Sequence, residues 1–202
     1  MNRSVITAAV AGAVLLGLGV AAVAGSQNRP SAASELYPPV HDVGTATDVE
    51  SVRAAVPRIL NDWVAAGRAD GRVGSTDIAS LVAASLSDTA EQERRALLSS
   101  VLAPSLVDAE LAGYEQGFRD AMFLTQPLWL YVDNDFVATS WDGVQVIGDT
   151  AVVLVQGQQS YVFLNGTTGE EPVHQFRLVL QRDPGSRYGW VALNESSRQG
   201  PS

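Results

Sequence analysis

The chain has 202 residues, thirteen arginines, no lysine, no cysteine and a formal net charge of -9 at pH 7. With no basic patch to release phosphate counterions, nucleic acid is excluded as a partner, and flat electrostatic docking on anionic lipid is excluded with it. The absence of cysteine removes disulfides, thiolate catalysis and zinc–thiolate sites together.

The first element is a hydrophobic helix. After the short basic start at Arg3, residues Val5 to Ala24 run without a charge. About 20 residues at about 1.5 Å each just span a hydrocarbon core of about 30 Å. The run closes on Ala22-Val23-Ala24, the small-residue pattern that a signal peptidase cuts. Residues 1–24 are therefore read as a signal-anchor, with cleavage after Ala24 as the alternative. Either reading puts the rest of the chain outside the cytoplasm: in the cell membrane by a single pass, or secreted. Residues 25–47 hold Pro30, Ser31, Ser34 and the Pro38-Pro39 pair with no apolar period, and are expected to form a flexible tether. His41 lies within it as a solvated loop residue.

The folded domain is expected over residues 48–194. Thr47 and Glu50 have the form of a capping box, and Val49, Val52, Val56, Ile59 and Trp63 follow as one helical stripe that Pro57 interrupts. A short helix capped by Ser75-Thr76-Asp77 is expected through about Leu86, and another capped by Asp88-Thr89-Ala90-Glu91 through about Leu102. Pro104 suits the first turn of a fourth helix. Its stripe is Val107, Leu111, Tyr114, Phe118 and Met122, and Glu115 pairs with Arg119 at i, i+4.

The period then changes to strands. Leu128–Val132, Phe136–Trp141, Val144–Ile147, Ala151–Val155, Gln159–Leu164, Val173–Gln181 and Gly189–Leu193 are rich in β-branched and aromatic residues. Turn signals separate them at Asp133-Asn134-Asp135, Asp142-Gly143, Gly148-Asp149, Asn165-Gly166, Thr168-Gly169 and Asp183-Pro184-Gly185. Helices first and antiparallel hairpins second predict an α+β fold, with the helices packed on one face of a strongly curved, mostly antiparallel sheet. Residues 195–202 are expected to be a disordered tail.

The run from Trp141 to Val155, and the closing sequence of Phe176 to Gln181, a turn and Tyr188-Gly189-Trp190-Val191, resemble the nuclear-transport-factor-two-like superfamily. The resemblance extends in element order over roughly residues 48–194. It implies a cone, a bent sheet around a pocket plugged by a helix, in a superfamily with ketosteroid-isomerase-like enzymes, polyketide cyclases and many non-catalytic members. A single amino-terminal span, a tether and one such domain also resemble the mammalian-cell-entry-associated membrane proteins of actinobacteria and the assembly factors of type IV secretion and conjugation. Arginine without lysine is the usage of a high-GC genome, as in that phylum.

Enzymes of that superfamily place a carboxylate base and a proton-donating Tyr or Asp in the pocket. Here Asp133, Asp135 and Asp142 read as turn residues, Tyr114 lies on an apolar stripe, and His174 has no second ligand near it, so no catalytic residue is carried over. The candidate pocket-lining residues are Tyr114, Phe118, Trp129, Tyr131, Trp141 and Tyr161, and cross-strand packing is the competing explanation for the aromatics. No phosphate loop, nucleophile elbow or His-Glu-x-x-His is present, and no cofactor or metal is expected. Two functions follow. One is a non-enzymatic accessory or scaffold domain outside the membrane, contacting a protein partner in a larger envelope assembly for transport or secretion. The other is a small-molecule enzyme or lipid-binding protein with an apolar ligand, of the isomerase and cyclase kind.

Overall fold

The structure is a computed structural model that describes residues 36–121 and 130–199. The expected anchor, the first part of the tether, Met122, the strand residues 128–129 and the last three residues lie outside them. Among the described residues four helices come first: α1 (Ala46–Ala65), α2 (Ile78–Ser85), α3 (Asp88–Ser99) and α4 (Pro104–Ala121). Five strands follow: β1 (Tyr131–Ile147), β2 (Thr150–Phe163), β3 (Thr168–Glu170), β4 (His174–Arg182) and β5 (Trp190–Gln199). They form one antiparallel sheet in the order β1-β2-β4-β5, with β3 paired to β2. This is the expected α+β architecture, helices packed on a mostly antiparallel sheet.

Caps fix the helix starts. Thr45 caps α1, its hydroxyl accepting from the Asp48 amide at 3.1 Å, so the helix begins before the expected Thr47 box. Ser87 caps α3, one residue ahead of the expected Asp88. Within the expected Ser75-Thr76-Asp77 cap of α2, it is Asp77 that caps. Through Pro57, α1 is continuous. Its apolar stripe, Val52, Val56, Ile59, Leu60 and Trp63, is buried and joins Leu178, Leu180 and Trp190 of the sheet in the main core.

Three expected strands are one. β1 runs unbroken through Asp133-Asn134-Asp135 and Asp142-Gly143, where reversals were expected, and its pairing with β2 slips at residues 132, 139 and 142. Each slip is a bulge, which adds a residue, bends the strand and restores the face. Tyr131, Asn134, Phe136, Ala138, Trp141, Val144 and Val146 thereby all pair with odd-numbered β2 residues from Phe163 to Ala151, the helix-covered face. Polar residues at bulges look like turn signals in sequence. The true reversal is Gly148-Asp149, with Gly148 at φ 60° between Ile147 and Thr150. The two expected strands 151–155 and 159–164 are likewise one strand, β2. Thr168-Gly169 belongs to β3 and is not a turn.

Both ends of the expected domain move outward. β5 continues to Gln199, past the expected end at 194 and into the segment taken for a disordered tail, because β4 offers it pairing as far as His174. At the other end, residues taken for tether lie on the sheet. The Val40 amide donates to Asp142 O at 2.8 Å, the Val43 amide to Val144 O at 2.9 Å, and Val43 bridges Gln145 in parallel. Two prolines hold this segment extended without needing amide partners of their own.

Candidate functional site

The expected lining residues are committed to the fold. At the end of α1, Trp63 O and Val64 O accept the Ala66 and Gly67 amides in a tightened last turn, and two phenols add a second donor to each. Tyr114 donates to Trp63 O at 2.8 Å and Tyr131 donates to Val64 O at 2.6 Å. A Cβ at Gly67 would collide with both phenols, so only glycine fits there. Burial pushes both hydroxyls well above the ordinary tyrosine value. Phe118 is buried, with the Arg94 guanidinium 4.8 Å from its ring centroid. Trp141 is half-buried on the helix-covered face, with Arg53 of α1 at 5.7 Å. Tyr161 stands edge-on to Tyr131 at 5.0 Å and donates to Glu171 Oε1 at 3.2 Å. Trp129 lies outside the described residues. Tyr114, Phe118 and Trp141 thus pack with the main core, whereas Tyr131 and Tyr161 form a smaller cluster with Val64 and Phe163.

The three candidate aspartates are held elsewhere. Asp133 pairs with Arg68 at 2.8 Å, Asp135 accepts from Asn61 at 3.3 Å, and both are exposed. Asp142 accepts from Gln156 and Gln175 on the outer face of the sheet, at 2.9 Å and 2.6 Å. None meets Tyr114. His174 is half-buried, its ring tilted against Phe176, and burial lowers its pKa.

Two half-buried carboxylates nevertheless lie on the helix-covered side, at residues that sequence reading does not single out. Glu110 of α4 accepts from Trp63 Nε1 at 3.0 Å. Glu195 of β5 is paired with Leu178, a helix-face residue, and its Oε1 is buried without a hydrogen-bond partner. Burial pushes Glu195 up to about 7, and the nearby Glu110 adds to the rise. Glu110 is itself raised by burial, against the Trp63 hydrogen bond. Glu195 can therefore bind and release a proton near neutral pH. Glu110 had a signal in the sequence, since it falls three residues after Val107 and four before Tyr114 on the α4 stripe. Glu195 had none. Counting by twos from the buried Trp190 and Ala192 puts it outside, and only the bulge at Leu193, between the pairs Leu180–Ala192 and Val179–Asn194, turns it inward.

A buried arginine completes the interior. Arg94 is 6% exposed and donates to Ala66 O at 2.6 Å and Ser85 O at 3.0 Å, the carboxyl ends of α1 and α2. Its charge there opposes the negative ends of two helix dipoles. A shallow surface cleft of about 200 Å³ beside Arg95, Leu102 and Val107 shares no residue with the acid pair, and Arg95 is already paired with Asp108 and Glu91. Among the described residues no three His, Cys, Asp or Glu side chains converge as metal ligands. No described helix is long and apolar enough to cross a membrane, and residues 5–24 are not among the described residues.

Fold and interior together define an α+β domain whose helix-covered sheet encloses an apolar core, with Glu110 and Glu195 half-buried beside it. Among solved structures, the chain is similar to a nuclear transport factor 2-like superfamily protein from Salmonella enterica serovar Typhimurium, at 10% identity and a TM-score of 0.40, over 76% of this chain and 94% of that one. No protein-family model matches, and no curated protein matches.

Proposed function

We propose that the chain is a non-catalytic, nuclear-transport-factor-two-like accessory domain, held outside the cytoplasm by residues 5–24 and working by contact with a protein partner in the cell envelope. One observation carries the non-catalytic part. Tyr114 and Tyr131, two of the expected lining phenols, spend their hydroxyls on the carbonyls of Trp63 and Val64. The anchor rests on the uncharged run from Val5 to Ala24, and the envelope role on the likeness in layout to actinobacterial mammalian-cell-entry-associated proteins. The full chain is expected to stay in the membrane pellet through an alkaline carbonate wash with its native amino terminus. A soluble product beginning at Gly25 would replace the anchor with a cleaved signal.

A second reading has its own observation. The buried, unpartnered Glu195 Oε1 beside Glu110 is the kind of acid that a small-molecule enzyme or binder tunes. Titrating the full chain with steroid and fatty-acid probes separates the two readings. Saturable binding that Glu195→Gln abolishes favours the second reading, and no binding favours the first.

A further inference from the structure

On the outer face of the sheet, apart from the interior, lies the segment Tyr37-Pro38-Pro39-Val40. The Gln175 side-chain amide pairs with the backbone of Tyr37 as another strand would: Oε1 accepts from the Tyr37 amide, and Nε2 donates to Tyr37 O at 3.0 Å. Gln175 is only 2% exposed, and its Nε2 also donates to Asp142 Oδ2, which Gln156 holds in turn. The Tyr37 ring lies under the Arg198 guanidinium at 3.7 Å, and its hydroxyl meets Ser196 Oγ at 3.0 Å. Further along, a Cβ at Gly143 would strike the Val40 carbonyl.

Each part reads a feature of an extended peptide. A buried amide reads one backbone unit, an arginine and a serine read an aromatic ring with its hydroxyl, and a glycine admits the backbone two prolines further on. Proline-rich segments are suited to this, because they are extended before they bind and lose little entropy. The segment is also an arm. It is joined to α1 through Gly44, whose φ of 122° favours glycine, and it contributes no residue to the main core.

We propose that the surface formed by Asp142, Gly143, Gln156, Gln175, Ser196 and Arg198 is a peptide-binding site for extended Tyr-Pro-Pro-aliphatic segments. The chain's own arm occupies it in cis, and a segment of the same chemistry from another protein competes for it. This goes beyond the proposed accessory role and does not depend on the anchor.

The test uses the full chain and a labelled peptide of residues 36–44. In a Tyr37→Ala, Val40→Ser variant, with the arm's hold weakened, the peptide is expected to bind saturably. Binding to the wild type should be at least about tenfold weaker, because a tethered competitor is present at high effective concentration. A peptide with alanine for its tyrosine should lose binding to the variant, which distinguishes this site from adventitious adhesion. Arm exchange between copies would show as a concentration-dependent dimer and identifies a second copy as the source of the segment. No saturable binding to a variant that keeps the wild-type spectrum and a cooperative melt would overturn the proposal, as would equal binding of both peptides. Hydrogen exchange on the wild type is independent of any variant. The Val40 and Val43 amides should exchange well before those of β2 and β4, and exchange only with global unfolding would show that the arm is not separable.

Discussion

Glu195 is the residue with the most to say about pH. It keeps its proton in the folded chain up to about pH 7, whereas an ordinary glutamate loses it near 4.5. Between those values the native state binds more protons than the unfolded chain, so this group's contribution to stability falls as pH rises through that window. Glu110, also raised, acts in the same direction. Glu195→Gln is expected to raise the melting temperature at about pH 8 and to leave it nearly unchanged at about pH 5, flattening the slope between. Parallel melting curves for variant and wild type would show that the carboxylate is solvated. Arg94 makes the opposite case. Arg94→Met keeps the packing on Phe118 but strips Ala66 O and Ser85 O of their donor. Relief of a buried charge offsets part of that, leaving an expected loss of roughly 1–3 kcal/mol in urea unfolding. A gain in stability would mean that the guanidinium costs more than its two carbonyls return.

At the scale of elements, the helices were more legible than the strands. The stripes of α1 and α4 follow from spacing alone, and Glu115–Arg119 pairs at 3.0 Å as its i, i+4 placement implies. The caps were displaced, since a Thr-x-x-acid pattern occurs at Thr45 and at Thr47 and only geometry chooses between them. Thr45→Ala is expected to cost about 1 kcal/mol and Thr47→Ala almost nothing by chemical unfolding; the reverse order would restore the expected box. Strand reading failed at the bulges. A count by twos is broken at residues 132, 139 and 142 of β1 and at 193 of β5, and these breaks hid both the length of β1 and the inward aim of Glu195. The closing strand itself was legible from Trp190, which is 1% exposed, lies against Arg182 and donates to Ser51 Oγ at 3.3 Å. Trp190→Ala should cost about 3–5 kcal/mol, and an unchanged melting temperature would contradict its place in the core.

For the whole molecule, sequence order was enough for the layers: helices, then antiparallel strands, then helices laid over one sheet face. The limits of the domain were not legible, because a Pro-Pro segment and a polar carboxyl-terminal stretch look unfolded unless a sheet is there to receive them. Here β1 receives Val40 and Val43, and β4 receives the strand as far as Gln199. The central claim is that the interior serves the fold and the outside serves the function. Its most direct test starts from the proposed envelope role: the native gene is replaced with a Glu110→Gln, Glu195→Gln version, and any membrane complex that holds the protein is sized on a native gel. A complex of wild-type size and abundance is expected. A stable, membrane-retained variant that no longer enters the complex would contradict it, and would make the acid pair the working site.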